Sequence, residues 1–112
     1  MGRLYYGSST EPIEMPDRLM AHLKLVASSK LRRSESFTLT CKDSTIPGAG
    51  RETIWVHCSI PLRFVFDSAE NVNLDRAYLE ELARAATSTV GIVIDMADWI
   101  EARPEPVLVR AA

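Results

Sequence analysis

Apolar residues fall at every second position from Phe37 to Cys41 and again from Ile54 to Phe66, and at every third or fourth position from Leu19 to Leu31 and from Leu74 to Ala86. The first spacing is that of half-buried strands, the second that of helices covering a core with one face. Leu4-Tyr5-Tyr6 and Ile13-Glu14-Met15 are short β-prone runs on either side of a turn-rich segment, which predicts an N-terminal hairpin. Pro16-Asp17 supplies a helix start, with Asp17 as acceptor for the free N–H groups, and the periodicity predicts a helix over 17–33. Its apolar face carries Leu19, Met20, Leu23, Val26 and Ala27, and its polar side Arg18, His22, Ser29 and Arg32.

From Ser36 to Lys42 the alternation places Phe37, Leu39 and Cys41 on one face and Thr38, Thr40 and Lys42 on the other. Residues 43–50 have loop composition. The run from Thr53 to Phe66 fits one long strand bent at Pro61 equally well as two strands joined by a turn. Asn73 is the expected N-cap of a second helix reaching about Ser88, and Val90–Met96 reads as a final strand. These elements predict an α+β fold with a mostly antiparallel sheet: an N-terminal hairpin, a long central hairpin, a C-terminal strand and two helices. One domain is expected over 1–96. The segment 97–112 reads as an irregular tail with at most a helical turn around Trp99.

Composition narrows the class without choosing a function. With 112 residues, 46% hydrophobic and 25% charged, the chain is long and apolar enough for one core, which excludes a disordered or collagen-like chain. No apolar run is long enough to span a membrane, and the first residues lack a signal-peptide stretch, so a cytoplasmic location is expected. The net charge of −2 conceals a division: residues 1–63 hold nine Lys/Arg against six Asp/Glu, and residues 64–112 four against nine. A basic half suits nucleic acid or an acidic protein partner, and a bipolar chain also suits self-association.

Two cysteines and two histidines without metal-ligand spacing predict neither a metal site nor a cofactor. The central hairpin is expected to pair Cys41 with Ile54, Leu39 with Val56 and Phe37 with Cys58. That register sets the two cysteines roughly 13 Å apart along the strands, beyond disulfide reach, and both are expected to be reduced and buried. The candidate binding residues are Lys24, Lys30, Arg32 and Arg33, for phosphate or an acidic surface, and Trp55 with His57, for stacking on bases. Trp55 and His57 are expected to share a strand face with Thr38, Thr40, Lys42 and, if the strand continues, Arg63. The same aromatic face also suits packing against a second copy, with strands 4–6 and 92–96 as open edges.

Three segments carry a family resemblance: Met1-Gly2-Arg3-Leu4-Tyr5-Tyr6-Gly7; Leu23 to Phe37 with its Lys30-Leu31-Arg32-Arg33-Ser34-Glu35-Ser36-Phe37 stretch; and Ile54-Trp55-Val56 with Ser59-Ile60-Pro61-Leu62. Over about residues 1–95 the chain resembles a group of short bacterial proteins often labelled ATP-dependent DNA ligases. The resemblance implies a DNA-processing context. Ligase chemistry uses a Lys-x-Asp-Gly nucleophile motif; here Lys42-Asp43-Ser44-Thr45 has its Asp one place early and no Gly, so no catalytic residue is assigned. A small non-catalytic domain associating with nucleic acid is the expected function, with a self-associating structural module as the alternative.

Overall fold

The computed structural model describes residues 1–102. Its elements follow in the order β1 (Gly2–Tyr6), β2 (Ile13–Met15), α1 (Asp17–Arg32), β3 (Phe37–Lys42), β4 (Arg51–Val56), β5 (Leu62–Val65), α2 (Arg76–Thr87), β6 (Ile92–Asp95) and α3 (Met96–Ala102). The fold is α+β, built on two three-stranded sheets in the orders β2-β1-β5 and β4-β3-β6. Every pairing is antiparallel except β3 with β6. The core joins the inner faces of both sheets to α1 and α2 through Leu4, Met15, Leu19, Met20, Phe37, Leu39, Val56, Leu82, Ile92 and Ile94.

The long alternating run is two strands, and they belong to different sheets. The chain leaves β4 at Val56, turns with the Ile60 N–H donating to the His57 carbonyl (3.1 Å), and enters β5 beside β1. Pro61 sits at this crossing, where its missing N–H costs no ladder bond, and its carbonyl accepts from Gly7 N–H at 2.8 Å. The crossing makes β1 the central strand of its sheet, correcting its assignment as an open edge; among the described residues β6 is an edge, as expected.

The central hairpin pairs Phe37 with Val56, Leu39 with Ile54 and Cys41 with Glu52, two residues away from the expected register. A two-residue slip keeps every side chain on its face, so the apolar alternation could not detect it. Pairing starts at Lys42–Arg51 directly across the loop, which gains ladder positions that the longer expected loop would have lost. Cys58 therefore lies past the end of β4 and is exposed, a correction to its expected burial, whereas Cys41 is a buried core thiol.

Helix ends supply further corrections. Asp17 does not cap its own helix; its carboxylate accepts from the N–H groups of Asp67 (3.0 Å) and Ser68 (3.1 Å), tying the exit of β5 to the start of α1. α1 closes in a Schellman arrangement: Glu35 N–H donates to Lys30 O and Ser34 N–H to Leu31 O, both at 3.0 Å, with Ser34 at φ 60°. The cap of α2 is Asp75 rather than Asn73, its carboxylate accepting from Ala77 N–H at 3.0 Å and Tyr78 N–H at 3.3 Å. Asp95 likewise accepts from Ala97 N–H at 3.0 Å, and α3 extends the expected turn around Trp99 into a third helix. The remainder of the expected irregular tail, 103–112, lies outside the described residues.

His22 is fully buried, although its helical position reads as polar. The Arg18 carbonyl, 2.7 Å from Nδ1, only accepts, and the Asp75 N–H, 2.8 Å from Nε2, only donates. The imidazole is therefore neutral with its proton on Nδ1, and it fastens α1 to the N-cap residue of α2.

Gly91 marks the turn between α2 and β6. Its φ is +82°, and a Cβ there would lie 2.6 Å from the Thr38 carbonyl oxygen. Both the backbone conformation and the contact exclude a side chain. Gly91→Ala is expected to destabilise the protein by about 1–3 kcal/mol, read as a lower midpoint in urea unfolding at unchanged slope.

Candidate functional site

The basic residues at the end of α1 do not form a free cationic patch. Lys30 is 6% exposed, and its Nζ donates to the Glu35 carboxylate at 3.1 Å. Arg33 reaches the same carboxylate at 3.2 Å and Ser29 Oγ at 3.5 Å. Bonds from Lys30 first, and then from Arg33, hold the Glu35 carboxyl below its usual range. The Schellman turn places Glu35 over Lys30, where such turns commonly carry an apolar contact. Lys30 and Arg33 thus satisfy a local acid and close the helix. Arg32 stays exposed, as does Lys24 farther up α1, whose Nζ lies 6.0 Å from the Phe66 ring centroid.

The outer face of the β4-β3-β6 sheet is a different surface. Along β4 it carries Arg51, Thr53 and Trp55, and along β3 Thr38, Thr40 and Lys42. Trp55 is 59% exposed, an unusual cost for a tryptophan on a strand. The threonines bond within the face, Thr40 Oγ1 to Thr53 Oγ1 at 2.8 Å and Thr38 Oγ1 to the Val90 carbonyl at 3.1 Å. Lys42 and Arg51 are direct cross-strand partners and both are exposed, so two cations stand side by side at one end of the face and Trp55 stands toward the other. On β6 the register continues the face with Val93 and Asp95. Bonds from the N–H groups of Ser44 and then Ala97 hold the Asp95 carboxyl low, and Lys42 contributes by charge.

Of the residues expected to share this face, Trp55, Thr38, Thr40 and Lys42 do so. His57 lies just beyond β4, half-buried, with Nδ1 accepting from Ser59 N–H at 3.0 Å. Arg63 belongs to the other sheet and stacks over the Tyr5 ring, 4.2 Å from its centroid. The two sheets meet behind Trp55, whose carbonyl accepts from the Tyr6 hydroxyl. Arg51 is a member of the face that the residue pattern did not single out. Only the true hairpin register puts it beside Lys42. Among the described residues no three His, Cys, Asp or Glu side chains converge to hold a metal ion.

A family model described as "Domain of unknown function (DUF7882)" matches residues 1–97, nearly the whole of the described chain. No curated protein and no solved structure matches it.

The two thiols differ sharply in environment. Burial, and then the nearby Glu52 carboxylate, pushes the Cys41 thiol up to about 11, while Cys58 is exposed on the β4–β5 turn. The thiolate is the reacting species, so Cys41 is protected twice, by access and by protonation. Mass spectrometry after brief treatment with iodoacetamide is expected to show one alkylated cysteine, Cys58, in the native protein, and both after unfolding in urea.

Proposed function

We propose a non-catalytic nucleic-acid-binding role for this chain, which belongs to the DUF7882 family. The observation that carries the reading is Trp55, 59% exposed on a threonine-lined strand face that ends in the adjacent cations Lys42 and Arg51. Single strands are held by aromatic stacking of bases together with basic side chains along the backbone, and this face offers one exposed aromatic and two cations. The phosphate contacts assigned here are Lys42 and Arg51 in place of Lys30 and Arg33, whose charges Glu35 already engages. A DNA-processing context, in which the domain positions a strand and chemistry occurs elsewhere, is part of this proposal.

Labelled single-stranded oligonucleotides titrated at low salt test the reading. Saturable binding is expected, with Trp55→Ala costing about 1–3 kcal/mol for a lost stacked base. In Lys42→Ala/Arg51→Ala the slope of log K against log salt should shrink by about 0.7 for each lost phosphate contact. Absence of saturable binding, or full affinity in Trp55→Ala, removes the proposal.

A second reading, self-association, is supported by one further observation: Val93 is 47% exposed on the same face as Trp55, and Val90, whose carbonyl takes the Thr38 hydroxyl of that face, is 69% exposed. Nucleic acid has no use for these apolar positions, whereas a second copy packed face to face would cover them. Light scattering over a concentration series is expected to show a dimer under this reading, weakened in Val93→Lys. A strict monomer at high micromolar concentration eliminates it.

A further inference from the structure

Among the described residues β6 has one neighbour, β3, so every second N–H and C=O along its other side has no strand partner there. A cleft of about 360 Å³ runs along that side. Val93, Ile94 and Asp95 all line it. Consecutive strand residues point to opposite faces, so what these three have in common toward the cleft is their backbone edge. The facing wall comes from α1, α2 and α3. It is aromatic at its centre, where the Tyr78 and Trp99 rings meet edge to face at a centroid distance of 5.4 Å and His22 packs on Tyr78 at 5.3 Å.

The charge of this wall is one-sided. Asp75, Glu81, Asp95 and Asp98 line the cleft, against the single guanidinium of Arg18. Asp75 uses one carboxylate oxygen to cap α2, and Asp95 accepts from the N–H groups of Ser44 and Ala97 with Lys42 nearby, so both carboxylates are fixed in orientation. Glu81 and Asp98 make no described ion pair and are exposed.

We propose that this cleft is a docking groove for an extended, positively charged peptide segment, which adds to β6 as a further strand. Main-chain bonds to the free edge supply the common affinity, and alternate side chains reach the wall. Lysine or arginine on that side meets carboxylates and the faces of Tyr78 and Trp99, where a cation is held by charge and by the ring quadrupole. Charge decides against the simplest competitor, a second β6: two-fold pairing would bring two such acidic clefts together. The groove uses the opposite edge of the sheet from β4, so it stands independently of nucleic-acid binding at Trp55.

The probe is a fluorescently labelled peptide in which lysine alternates with valine, followed by anisotropy on the full chain. Saturable binding that weakens with salt is expected. The same peptide with glutamate in place of lysine should not bind, and one N-methylated at alternate residues, which cannot complete a strand ladder, should lose the interaction. Glu81→Gln/Asp98→Asn, at exposed positions that cap no helix, should weaken binding by about tenfold. Equal affinity for the N-methylated peptide overturns the strand-addition geometry, unchanged affinity in the double variant overturns the groove, and absence of saturable binding overturns both. The N-methylated arm requires no variant, so the answer does not depend on how well a variant folds.

Discussion

The imidazole of His22 is the joint on which the arrangement of the helices depends. It donates from Nδ1 to its own helix and accepts at Nε2 from the first residue before α2, with no exposure to water. A buried ring nitrogen without a partner is costly, and the Asp75 N–H supplies one for His22 Nε2 at the point where the chain must turn into α2. Asp75 is then free to use its carboxylate for the cap, and α2 begins there rather than two residues earlier. Tyr78 and Trp99 complete the packing around the ring. The placement of α2 against β3 and β6 follows from this joint, and with it the cleft along the β6 edge.

Two half-covered sheets give the molecule its exposed surfaces. Each sheet turns one face to the helices, and with three strands apiece neither closes on itself. The passage from β4 to β5 through Pro61 holds them together, assisted by Tyr6 on the Trp55 carbonyl and Asp17 on the segment after β5. These cross-links anchor the strand that presents Trp55 to solvent. A large aromatic on a fixed, uncovered strand retains its contact area for a partner while losing little further freedom on binding, which is why such positions suit recognition.

Charge is sorted by structure more than by sequence. The densest basic stretch, Lys30 to Arg33, spends two of its charges on Glu35 within the same turn. Two cations distant in sequence, Lys42 and Arg51, become neighbours across a hairpin. The carboxylates of α2, β6 and α3 gather on the opposite edge of the same sheet. One edge of a single sheet is thus basic and the other acidic, and the net charge of −2 records neither.

Periodicity alone determined the α+β class, the two long helices and the faces of nearly every strand, because burying one face imposes a spacing of two or of 3.6 wherever a core exists. Leu39 and Phe37 point inward in any register of the same parity. Local chemistry also announced the start of α1 at Pro16-Asp17 and its basic end. What the pattern could not contain was anything depending on which distant segment arrives alongside: the two-residue hairpin register, the transfer of β5 to the other sheet, the exposure of Cys58 and the meeting of Lys42 with Arg51. His22 shows the limit most clearly. Its position on α1 reads as polar, and only the approach of the Asp75 N–H, 53 residues on, makes burial of that ring favourable. Side-chain spacing is set by the element a residue belongs to, whereas a hydrogen-bond partner is set by the packing of the whole chain.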